Sequence, residues 1–79
     1  MKVVWKVKRD SGTTSRQAEA HGCMVTVHEY GWRGGWIHVL VRRDKDGRHA
    51  SEGGICADAV AGKRRALALA RRIERRAAR

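Results

Sequence analysis

Seven arginines stand near the end of the chain, at Arg64, Arg65, Arg71, Arg72, Arg75, Arg76 and Arg79, and Glu74 is the only acid among them. Stepped at about 100° per residue, as on an α-helix, they fall on one arc, while Ala59, Gly62, Ala66, Leu69, Ala70, Ile73 and Ala77 fall on the other. A guanidinium is planar, permanently charged and carries a fork of N–H donors that matches phosphate oxygens, so a comb of them is chemistry for a polyanion. A merely solvated helix face would interleave glutamates for pairing four residues along, and here only Glu74 is on hand. Arg64, Arg71 and Arg75 are the helix positions expected to touch nucleic acid.

A second set of polar and aromatic side chains emerges from strand alternation. One sheet face gathers Lys2, Lys6 and Lys8 with Thr26, His28, Tyr30, Trp36, His38 and Arg42. Aromatic planes stack on bases or ribose, and Lys, His and Arg reach phosphates or base edges. The same pattern also fits Tyr30, Trp36 and Leu40 lying buried beneath residues 16–22. Trp32-Arg33-Gly34-Gly35-Trp36 reads either as a glycine-rich tip presenting an arginine between two indoles or as a tight turn whose tryptophans cap the core. Lys6, Arg33, Trp36, His38, Arg42 and Arg48 are the nucleic-acid-binding positions expected outside the helix.

Other chemistries fit poorly. His21-Gly22-Cys23 with His28, His38, His49 or Cys56 lacks zinc-ligand spacing, and alternation sends Cys23 and His28 to opposite faces, so no metal is expected. There is no glycine-rich phosphate loop ahead of a helix, and no serine or cysteine stands in a nucleophile context. The expectation is a protein without catalytic residues or cofactor, not an enzyme.

These residues need elements to hold them. Residues 2–8 alternate, with Val3, Trp5 and Val7 on one side, and predict a strand. Residues 10–15 have turn chemistry, and residues 16–22 have no clear period. Residues 23–30 alternate again, with Cys23, Val25 and Val27 on one face. After the connection 31–35, Ile37, Val39 and Val41 face inward from a strand over 36–42. Asp44-Lys45-Asp46-Gly47 is a hairpin turn, because Gly47 tolerates positive φ, and residues 48–52 return as a further strand. Beyond Gly53-Gly54 the Ala, Leu and Arg content predicts a helix over 57–77 with Asp58 near its positive end. The predicted architecture is α+β: a three- or four-stranded antiparallel sheet packed against one C-terminal amphipathic helix, in a single domain spanning 1–79.

Composition sets the bounds. Eighteen Lys and Arg against eight Asp and Glu leave a formal charge of +10 on 79 residues, beyond what solubility requires. The chain has no Phe and much of its apolar content is Ala, so the core must be one sheet face against one helix. No apolar run approaches the ~18 residues a membrane span needs, the helix's alanine face lacks bulky inserting groups, and lysines stand at the start, so a cytoplasmic protein without membrane contact is expected. Cys23 and Cys56 are expected to be reduced.

Gly34-Gly35-Trp36, the strand from Ile37 to Arg42, Asp44-Lys45-Asp46-Gly47-Arg48, Gly53-Gly54-Ile55 and the helix from Ala59 to Ile73 resemble, in that order, the AP2-like arm-binding N-terminal domain of tyrosine integrases. The likeness covers residues 30–74. It implies a three-stranded sheet laid in the DNA major groove with the helix behind it, reading through His38, Leu40 and Arg42 on the middle strand and Arg48 and Ala50 on the return strand. Gly62-Lys63-Arg64-Arg65-Ala66 is similar to the phosphate-gripping helix start of double-stranded RNA-binding domains, which keeps duplex RNA beside duplex DNA as a partner. The rival from another class is a phage or mobile-element inhibitor, anti-CRISPR-like, that meets an acidic protein surface on a host nucleoprotein machine.

Overall fold

The computed structural model describes residues 3–31, 36–56 and 58–77. Five strands, β1 (Lys6–Asp10), β2 (Thr13–Ala20), β3 (Cys23–Tyr30), β4 (Trp36–Arg43) and β5 (Arg48–Ile55), precede one helix, α1 (Ala59–Ala77). The strands form one antiparallel meander in the order β1-β2-β3-β4-β5. The helix lies on one face, chiefly over β3 and β4. The class is α+β as expected, with five strands where three or four were predicted.

The additional strand is β2, which takes Thr13, Thr14 and Ser15 from the expected turn and residues 16–20 from the segment without a period. Two tight hairpins create it. Ser11 and Gly12 have φ of 43° and 82°, and His21 and Gly22 have φ of 53° and 72°. Positive φ at both central residues is the geometry whose twist matches a two-residue hairpin. Residues 16–22 therefore do not cover the outer sheet face: β2 pairs with β3 along its whole length, from Thr13 opposite Tyr30 to Ala20 opposite Cys23. The first strand is also displaced, running Lys6–Asp10 rather than over 2–8, so that Val3 and Trp5 pack against the core from ahead of it. β5 continues past Glu52 to Ile55.

Alternation places Cys23, Val25, Val27, Ile37, Val39 and Val41 on the helix side, all buried, against Ala66, Leu69, Ala70 and Ile73 of α1. This thin core depends on close approach. A Cβ added at Gly62 would stand 3.1 Å from Ile37 Cγ2 and 3.2 Å from Val27 Cγ1, so the helix backbone rests nearly on the sheet there. The helix starts at Ala59, with Asp58 as its cap: Asp58 Oδ1 accepts a hydrogen bond from the Ala61 backbone N–H at 2.9 Å. Cys23 and Cys56 are unpaired thiols, and burial pushes the Cys23 thiol above its ordinary range, with Arg43 opposing and Glu74 and Asp46 adding to the rise.

Candidate nucleic-acid interface

The exposed surface of α1 carries two arginine stripes. At ~100° per residue Arg64, Arg71 and Arg75 form a crest pointing away from the sheet, and all three are exposed. Arg65, Arg72 and Arg76 form a flank that overlooks β5: Arg72 and Arg76 line a groove with that strand, and a side chain at Gly54 would come within 3.5 Å of Arg65 Nη1. On the opposite flank Lys63 Nζ sits 5.4 Å from the centroid of the Trp5 ring, a cation–π contact that holds its charge against the protein.

Carboxylates are distributed unevenly. Arg16 pairs with Glu29 at 3.4 Å, Arg42 with Asp44 at 2.8 Å, and Arg43 and Arg48 both with Asp46 at 3.4 and 3.1 Å. Glu74, the one acid within the helix, turns to His21 at 3.4 Å. Among the described residues no carboxylate pairs with Arg64, Arg65, Arg71, Arg72, Arg75 or Arg76. Arg16, Arg42, Arg43 and Arg48 of the sheet are thus locally neutralised, whereas Arg9 of β1 and the helix arginines have no carboxylate partner among the described residues.

The outer sheet face collects transverse rows fixed by register. One runs Lys8–Ser15–His28–His38–Gly53, and its neighbour runs Thr13–Tyr30–Trp36–Ile55. His28 stacks on His38 with centroids 6.2 Å apart and on Tyr30 at 6.3 Å, and Ser15 Oγ is hydrogen-bonded to His28 Nδ1 at 2.9 Å. The Trp36 ring lies over Gly53, where a Cβ would stand 3.1 Å from it. No described segment covers this face, and Leu40 and Ile55 are exposed on it.

Lys6, Trp36, His38 and Arg42 therefore share the outer sheet face as expected, while Arg64, Arg71 and Arg75 lie on the far side of the helix. One flat ligand cannot touch both sets. Arg48 is a correction, because it pairs in register with the helix-facing Arg43, which puts it on the helix side of the sheet. Ala50 follows it, opposite Val41, so the outward positions on that strand are His49 and Ser51. Arg33 and the rest of the 32–35 tip lie outside the described residues. The flank stripe of Arg65, Arg72 and Arg76 was not separated from the crest by sequence reasoning, although the offset is visible in the helical phase once the buried face is known.

Burial, and secondarily the neighbouring His38, pushes the His28 pKa below its ordinary 6.5. As pH falls the unfolded chain takes that proton first, so His28's contribution to stability is present above about pH 6.5 and lost below it as the folded pKa is approached. Urea midpoints should hold level from pH 8 to 7 and drop as the pH falls below about 6.5. In His28→Gln that drop should shrink; an unchanged drop would assign it to other groups.

Among the described residues no three His, Cys, Asp or Glu side chains gather as a metal site, and no helix is long and apolar enough to cross a membrane. Comparison with protein-family models, with curated proteins and with solved structures gives no match to this chain.

Proposed function

We propose that this chain is a non-catalytic nucleic-acid-binding domain that grips duplex DNA, in preference to RNA, through the phosphate backbone with the crest of α1. The observation that carries this reading is the contrast between Arg16, Arg42, Arg43 and Arg48 of the sheet, which have carboxylate partners, and the crest arginines, which have none among the described residues. An uncompensated row of guanidiniums raises self-repulsion in the free protein and is relieved when phosphates displace their own counterions. The B-form major groove, about 12 Å across, admits a helix, whereas the A-form groove is too narrow and deep, which favours DNA. Contacts of this kind position the protein without reading sequence.

The integrase-like alternative, with the outer sheet face in the major groove, draws support from His38, Leu40 and Arg42 sharing a face that no described segment covers. It ranks second because Arg42 is already held by Asp44 at 2.8 Å. Fluorescence anisotropy with labelled duplex DNA, duplex RNA and single strands over a salt series tests the proposal. Duplex DNA should bind most tightly, with a log–log salt slope of roughly −3 to −5, corresponding to three to six neutralised phosphates. Absence of binding at low salt would end the nucleic-acid reading.

A further inference from the structure

The two edges of the sheet differ in kind. β1 is short, five residues, and carries Lys6, Lys8, Arg9 and Asp10. A short charged strand is a usual means of blocking an edge against further pairing. β5 is eight residues long, pairs with β4 from Arg48 to Ile55 without a bulge, and half of it is small residues: Ala50, Ser51, Gly53 and Gly54. It has no Pro and no Lys. Because α1 is seated over β3 and β4, it leaves a groove of about 490 Å³ between its flank and β5, with Ala50, Leu69 and Ile73 among its lining. Arg72 and Arg76 rise from the helix side against one lining acid, Glu52, while Arg48 on the strand side is held by Asp46 at 3.1 Å.

We infer that this edge and groove form a docking site for an extended acidic polypeptide segment of a partner protein, which adds as a sixth strand to β5 and sets its carboxylates beside Arg72 and Arg76. An open strand edge offers alternating N–H donors and C=O acceptors, and a peptide backbone satisfies both. A phosphate strand would meet the same carbonyl oxygens with repulsion, so the edge chemistry selects polypeptide while the arginines select its charge. A second copy of this chain would bring its own arginine flank against the first, which disfavours edge-to-edge self-pairing. The site is distinct from the helix crest and does not rest on the nucleic-acid reading; it gives physical form to the protein-contact rival.

The test uses a labelled eight-residue peptide of alternating valine and glutamate, its valine–lysine counterpart, and two N-methylated versions of the acidic peptide, one methylated at odd and one at even positions. The acidic peptide should bind and the lysine peptide should not. One N-methylated set should lose at least tenfold in affinity and the other little, because only alternate amides face the edge. R72E/R76E, both exposed positions, should weaken the peptide at least tenfold, while the charge-matched K8E/R9E on β1 should change it about twofold or less, the general effect of net charge. Equal behaviour of the two N-methylated sets would overturn strand addition. Equal weakening by the two charge reversals, or concentration-dependent dimers that R72E/R76E tightens, would overturn the assignment of the groove to an acidic segment.

Discussion

Reversing the crest with R64E/R71E/R75E is expected to lower affinity for duplex DNA by roughly 100-fold or more at 50 mM salt and to flatten the salt slope by about three units, one per lost phosphate contact. The three side chains are exposed and no carboxylate among the described residues partners them, so the substitution breaks no described contact. Its cost to folding should be small, chiefly that of placing an acid at position 75 in the last turn of α1, a few tenths of a kcal/mol. H38A/R42A on the outer sheet face should change affinity by threefold or less. If H38A/R42A proves the more damaging of the two, the interface is the sheet and the integrase-like mode replaces the crest.

Gly62→Val should cost about 2–4 kcal/mol, a large part of the roughly 4–12 kcal/mol available to a chain of this size. The Cβ alone would stand 3.1–3.2 Å from Ile37 and Val27, and both of those side chains are buried in the sheet with no room to retreat. Two further methyl carbons and a β-branched residue inside a helix add to the misfit. Thermal unfolding should shift downward by roughly 8 °C or more, at about 4–8 °C per kcal/mol. Gly62→Ala is the informative companion, since a helix-propensity gain of about 1 kcal/mol opposes the tight contact and the net shift should be small. A Val variant as stable as the parent would mean that helix and sheet are not in close register at this position.

Much of the fold was legible because its central part obeys simple periods. β3 and β4 alternate cleanly, since one face is buried under α1 and the other is open, and the helix declares its inner face through Gly62, Ala66, Leu69, Ala70 and Ile73. β2 was not legible at its start because Thr14 and Arg16, although on the helix side, lie beyond the part of the sheet where α1 buries side chains, so no apolar residue was required there. Only Ala18 and Ala20 carry the buried alternation. The signal that was available is the pair of X-Gly steps, Ser11-Gly12 and His21-Gly22, each long enough for a two-residue hairpin and spaced by one strand. The candidate site divided for a related reason. Residue types mark which side chains can meet phosphate, but only register shows that Arg48 turns to the helix side, and only the carboxylate placement separates neutralised arginines from open ones.

Chemical-shift mapping of the isotope-labelled protein during titration with a short DNA duplex tests binding through the helix crest. Backbone amides of α1 and the Nε–H signals of Arg64, Arg71 and Arg75 should move progressively with added duplex, while Lys6, His28, Trp36 and His38 on the outer sheet face stay in place. Shifts centred on the outer sheet face, or no shifts at all at low salt, would contradict it.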